Sequence, residues 1–224
     1  MVRFDTPEGA GHKEIRPAGA CGTSDTAGAT PIEDASGLLI EGVLTYAALN
    51  AVETENILRA VNAHLRRRKR RGAGWLTEEY VRRLHRDMFD SVWEWAGRYR
   101  DAELNIGVPA SRIREEVAKL CQDVAFWDAQ QDNPLPVLER AVRLHHRLSW
   151  IHPFPNGNGR HARLMSDIYL YVNGCKQPEW PSYALGGPGD MRADYLDALR
   201  KADGGDFGPL IVYTSRFLPK DKRG

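Results

Sequence analysis

Ile151-His152-Pro153-Phe154-Pro155-Asn156-Gly157-Asn158-Gly159-Arg160-His161-Ala162-Arg163 sets proline, glycine, asparagine and arginine between two apolar helical patterns. Core packing accounts for none of that chemistry. Upstream, Val137, Ala141, Leu144, His145 and Leu148 recur at i, i+4, i+7, i+8 and i+11, the spacing of one helix face. Downstream, Leu164, Met165, Ile168, Tyr169 and Val172 are apolar on more than one side, which predicts a helix in the centre of the fold. Asn173-Gly174 supplies its stop. Pro153 and Pro155 forbid a continuous helix between the two, while Gly157 and Gly159 allow positive φ and close backbone approach to a ligand.

The restarting helix turns its free N–H groups and the positive end of its dipole toward that loop, which makes an anion site. Arg160 and Arg163 sit three apart on it and present planar forks suited to phosphate oxygens. A polyphosphate ligand is the expectation. His152 stands at the other end of the loop; an ordinary imidazole near pKa 6.5 is mostly neutral at pH 7 and ready to take a proton. A base beside a phosphate cradle points to activation of a hydroxyl for attack on phosphorus, the chemistry of nucleotidyl or phosphoryl transfer.

Working outward, a helical pattern runs from Leu44 through Leu65 and ends in the basic run Arg66–Arg71, which Gly72 and Gly74 stop. Thr77-Glu78-Glu79 reads as a helix start, with Thr77 as cap and two carboxylates in the first turn. Val92–Arg100 is an aromatic segment closed by Gly97, and Arg100–Ile113 has no helical period, so a short hairpin or loop is predicted there. Helix resumes through Val117, Leu120, Val124 and Trp127, and again around Met191–Lys201 and Gly208–Phe217. The class is mainly α. The expected organisation is a flexible tail over 1–31, an N-terminal helical extension over 32–75 that is a candidate regulatory element, a catalytic core over 76–218 and a C-terminal tail over 219–224.

Composition excludes several classes. Of 224 residues 42% are hydrophobic and 27% charged, ordinary values for a globular chain. Thirty-one Lys and Arg against 30 Asp and Glu leave a net charge of +1, so overall charge cannot hold the protein to nucleic acid or anionic lipid. The run at 66–71 reads as a solvated helix end, because no aromatic platform accompanies it. Cys21, Cys121 and Cys175 form no C-x-x-C pair, which argues against a disulfide framework or zinc ribbon. With no apolar stretch long enough to span a bilayer, a cytoplasmic protein without a membrane association is expected.

Residues 152–163 resemble the signature His-Pro-Phe-x-(Asp/Glu)-Gly-Asn-Gly-Arg-x-x-Arg of the Fic (Fido) family at every position but one, and Trp95-Ala96-Gly97-x-x-Arg100 resembles that family's element ahead of its substrate-binding flap. The phrase from His152 to Leu164 is most similar to the bacterial subgroup called mobile mystery protein B. The resemblance implies a Fic/Fido helical fold with a short β-hairpin flap, moving AMP from ATP with Mg2+ to a Ser, Thr or Tyr hydroxyl of a target protein. It implies His152 as the base, Asn158 with the backbone of Gly157 and Gly159 as the anion hole, and Arg160 and Arg163 as holders of the leaving pyrophosphate. The flap, with Asn105, Ile106 and Gly107, would pin the target as an added strand. The subgroup further implies a helix-turn-helix partner protein.

The departure is Asn156, where the family places an acidic residue for magnesium; a neutral amide holds a hard cation more weakly. Transfer of a different phosphate-containing group, or a non-catalytic nucleotide-binding regulatory module, therefore stands beside AMP transfer. Fic enzymes are often held off by a helix ending Ser/Thr-x-x-x-Glu-Gly/Asn whose glutamate pairs with the second motif arginine. The nearest trace is Ala51–Asn56, with Glu55 as candidate inhibitor and Glu53 as its alternative. A metal-dependent phosphohydrolase built on His85, His145, His146 and His161 is a minor alternative, since adjacent histidines on a helix point about 100° apart. His145 reads as core, and His161 is expected to face solvent.

Overall fold

A computed structural model describes residues 36–42, 45–65, 74–130, 134–180 and 190–220. The tail expected over 1–31, the basic run 66–71 and the last residues of the C-terminal tail lie outside them. Among the described residues are seven α-helices: α1 (Tyr46–Leu65), α2 (Glu78–Phe89), α3 (Ile113–Ala129), α4 (Val137–Ile151), α5 (Asn158–Val172), α6 (Asp190–Asp203) and α7 (Gly208–Ser215), with one 3-10 turn at Ala110–Arg112. None is long and apolar enough to cross a membrane.

The centre is the α4–α5 pair, joined by the loop of residues 152–157. From His161 to Leu170 every residue of α5 is buried, as its all-round apolar pattern requires. Phe154, Met165, Ile168 and Tyr169 reach zero exposure and pack with Leu84, Phe89, Leu120, Leu144 and Leu148 of α2, α3 and α4. A second cluster, Val142, Tyr195, Ala198, Leu210 and Tyr213, seats α6 and α7 against α4.

Local chemistry sets the ends. Thr77, extended at φ −121°, accepts the Tyr80 N–H through its hydroxyl and starts α2, with Glu78 and Glu79 in the first turn. Gly97 (φ 74°) closes the aromatic turn, and a Cβ there would come within 2.8 Å of the Arg82 carbonyl. Its N–H donates to His85 Nδ1. Ahead of α1, Leu38 forms an isolated antiparallel bridge with Trp93.

Of the hairpin or loop expected over Arg100–Ile113 the loop is found, and among the described residues the β-hairpin flap that the resemblance implied does not form. The segment is a series of bends that runs into the 3-10 turn. The reason is local: the Arg100 guanidinium donates to the carbonyls of Ala102 (3.0 Å) and Val108 (2.5 Å), so a side chain, not a partner strand, closes the loop.

Candidate active site

His152 ends α4 as its C-cap in the left-handed region, φ 52° and ψ 59°, the one positive φ outside glycine among the described residues. Such a conformation persists only where the surroundings over-determine it. The His152 N–H donates to the Leu148 carbonyl at 3.0 Å, its own carbonyl accepts from Arg100 Nε at 2.8 Å, and Nδ1 lies 3.2 Å from the Ser149 carbonyl. A carbonyl can only accept, so Nδ1 carries the proton and Nε2 keeps its lone pair. Partial burial holds the ring below its ordinary pKa, the Ser149 carbonyl opposes that, and the Arg100 charge adds to it. The imidazole is thus neutral at pH 7 and poised as an acceptor.

The loop beyond it is braced from inside. Asn158, 2% exposed, accepts the Phe154 N–H through Oδ1 and donates to the Phe154 carbonyl through its amide nitrogen. Its side chain therefore staples the loop and is not aimed at a ligand; only its backbone N–H stands in the first turn of α5. Gly157 (φ 77°) begins that helix without a side-chain cap, and a Cβ on it would lie 2.6 Å from the Phe89 ring. The glycine is demanded by packing against α2. Gly159 is different: it is exposed and nothing stands within 4 Å of where its Cβ would be, so the helix start is open there. No acidic residue occupies the first turn to quench the dipole.

Arg160 and Arg163 lean toward different neighbours. Arg160 Nη1 lies 2.6 Å from Glu53 Oε2, and its guanidinium stands 5.0 Å from the Phe89 ring centre. Glu53 is 2% exposed and its Oε1 accepts from Trp93 Nε1 at 2.7 Å. Of the two candidates on α1, Glu53 therefore faces the site and Glu55 is exposed. The pairing is with the first motif arginine, where the resemblance implied the second. Arg163 is buried against Tyr195 and Trp180, at 4.7 and 5.5 Å from their ring centres. Beside it burial pushes the Asp167 carboxyl up to about 7, opposed by the Trp180 N–H and the Arg163 charge.

His85, His145, His146 and His161 are held by contacts within the fold. His161 does not face solvent: it is fully buried, with Nε2 3.0 Å from the Val81 carbonyl, and burial lowers it to about 4. His85 stacks on Phe154, donates through Nε2 to the Asn156 carbonyl at 3.0 Å and accepts the Gly97 N–H, so it pins the loop from beneath. His145 meets the Tyr195 hydroxyl and His146 meets Asp203. Among the described residues no group of three or more His, Cys, Asp or Glu is placed to hold a metal.

Asn156 is exposed, and its Oδ1 accepts the Gly157 N–H at 2.6 Å. A single neutral oxygen already engaged by a backbone donor does not fit a protein-held magnesium site. The sequence reading missed Arg100 as a member of the site, although the Trp-Ala-Gly-x-x-Arg element carried it. Of the three expected flap residues Gly107 stands against His152, where a Cβ on it would meet His152 Cβ at 2.7 Å, while Asn105 is exposed and Ile106 is 60% exposed.

Fold and site together define an α-helical protein in which a glycine-turned loop joins a histidine C-cap to an uncapped helix start. Residues 75–170 match the model of the Fic/DOC family. Protein adenylyltransferase fic-1 of Caenorhabditis elegans is 30% identical over 122 residues, 54% of this chain and 23% of that protein. The chain thus matches about a quarter of that relative's length. Among solved structures, the BepC protein of Bartonella tribocorum with bound AMPPNP superposes with TM-score 0.61 at 18% identity, covering 81% of this chain and 91% of that one. A Fic domain containing signaling protein of Bacteroides thetaiotaomicron superposes with TM-score 0.60 at 22% identity, covering 74% and 69%.

Proposed function

We propose that the protein transfers AMP from ATP to a Ser, Thr or Tyr hydroxyl of a target protein. The observation that carries this reading is His152: its Nδ1 is committed to the Ser149 carbonyl, which leaves Nε2 as the base, in the loop that leads to the uncapped start of α5. Nε2 takes the hydroxyl proton, the oxygen attacks the α-phosphorus, and the bond to the bridging oxygen breaks to release pyrophosphate. The N–H groups at the start of α5 receive the phosphate charge, and Arg160 joins them once Glu53 lets it go. Arg163 supports the cradle from behind, and Asn158 keeps the loop's shape. The target segment lies along Asn105–Gly107.

Magnesium enters as part of the nucleotide substrate, carried by its phosphates, because Asn156 does not fit the role of a resident ligand. A relative named as a protein adenylyltransferase, and a structural neighbour solved with an ATP analogue, support nucleotide use. On the phrase His152–Leu164 we place the chain nearest the mobile mystery protein B subgroup, working in the cytoplasm with a helix-turn-helix partner.

The reading is tested by incubating the protein with ATP labelled at either the α- or the γ-phosphate. Covalent α-label alone means AMP transfer; retained γ-label means a different group moves. Tight binding with neither label attached means a nucleotide-binding module.

A further inference from the structure

Arg100 is 5% exposed, yet its nearest carboxylate, on the exposed Glu103, is 4.0 Å away and itself accepts the Ala110 N–H. A buried guanidinium without a close counter-ion is costly unless its donors are filled. Each of its three nitrogens donates to a backbone carbonyl: Nε to His152 at 2.8 Å, Nη1 to Ala102 at 3.0 Å and Nη2 to Val108 at 2.5 Å. Its own N–H donates to the Pro153 carbonyl at 3.0 Å. One residue thus bonds the base, the residue after it, and both arms of the 101–109 loop. None of these partners belongs to a helix interior.

Resting on the transferase reading above, we infer that Arg100 is the positioning residue of the site, clamping the left-handed backbone of His152 to the loop that receives the target. Two further observations agree. Gly107 is wedged into the clamp, since a Cβ on it would stand 2.8 Å from Arg100 Nη2, 2.7 Å from His152 Cβ and 3.0 Å from the Ile151 carbonyl. The Val108 N–H reaches the Ile151 carbonyl at 3.3 Å and completes the seam. A forked, planar head with five donors serves three carbonyls in different directions; the point charge of lysine cannot. The charges that bear on the His152 ring are this guanidinium from the loop side and, from α4, the Ser149 carbonyl dipole.

The test uses the full chain with Arg100→Lys and Arg100→Gln, followed by hydrogen exchange, histidine NMR titration and α-labelled ATP. Exchange over 101–109 is expected to speed up about tenfold or more in both variants, the loss of one charge-assisted hydrogen bond, while α5 keeps its protection. The His152 midpoint rises in Arg100→Gln, which removes the positive charge, and stays near wild type in Arg100→Lys. α-Label transfer falls in both. Unchanged loop exchange, acceleration spread equally over α5, or full transfer in both variants overturns the assignment. If Arg100→Gln does not fold, Arg100→Lys decides alone. Wild-type protein that never takes α-label sinks the transferase reading, and exchange and titration then still judge the clamp.

Discussion

Glu53 on α1 reaches Arg160 at the start of α5 across 107 positions of sequence, with Oε2 2.6 Å from Nη1, and its other oxygen is held by the Trp93 indole. The carboxylate occupies the arginine that faces the open helix start. On the proposed transferase reading a phosphate has to displace it, and the pair then sets a toll on nucleotide binding within the chain itself.

Glu53→Gln keeps an acceptor for Trp93 and removes the competing charge. Affinity for ATP is expected to rise about tenfold to a hundredfold, the range of one charge-assisted hydrogen bond. Glu55→Gly, at an exposed position, leaves it unchanged. Calorimetry with the two variants side by side checks this, and equal affinities would show that α1 does not restrain the site.

Gly157 and Gly159 look equivalent in sequence and are opposite in structure. Gly157→Ala must adopt φ 77° and meet Phe89 at 2.6 Å, an expected loss of about 2–4 kcal/mol. Gly159→Ala meets nothing and gains up to about 1 kcal/mol of helix propensity, while its methyl stands over the helix start and weakens nucleotide binding. Urea midpoints with nucleotide titrations separate the two; a destabilised Gly159→Ala would be the contrary result.

Asn156→Asp keeps the bond from the Gly157 N–H and adds a charge that suits magnesium. Nucleotide binding should become stronger and more magnesium-dependent. Titration across magnesium concentrations with no gain would show that the metal never approaches this side chain.

Acid should weaken the fold before it reaches the carboxylates. His161 is held neutral to about 4, His145 to about 3 and His85 well below 6.5, all chiefly by burial. Unfolded histidine takes its proton near 6.5, so their contribution is whole above that pH and lost as pH falls toward the folded values. His161 alone accounts for about 3 kcal/mol across that window, at roughly 1.4 kcal/mol per unit. Asp167, pushed up to about 7, works the other way, gaining as pH falls, but it is one group against three. Denaturant midpoints at pH 7.5, 6 and 5 should fall, and a midpoint flat over that range would contradict the burial of these rings.

Much of this was legible because the determinants are local. Thr77 caps what it was expected to cap, and the all-round apolar run from Leu164 to Val172 is the buried central helix. What escaped the sequence depends on distant partners. Whether Glu53 or Glu55 points inward is decided by Trp93, forty positions away, on a helix whose own pattern is weakly one-sided. The segment after Arg100 reads as either a hairpin or a loop until its carbonyls are seen to be taken by a side chain. Asn158 reads as a ligand because its staple to Phe154 replaces backbone pairing that no periodicity reports. His161 lies on a face that becomes interior only when α2 packs over it.

The most direct measurement is intact-mass and tryptic mapping of the Glu53→Gln protein after incubation with α-labelled ATP, beside the same protein carrying His152→Ala. AMP covalently attached in the first and absent in the second, with nucleotide affinity equal in both, is the predicted result. Labelling that survives the loss of His152 would contradict the account.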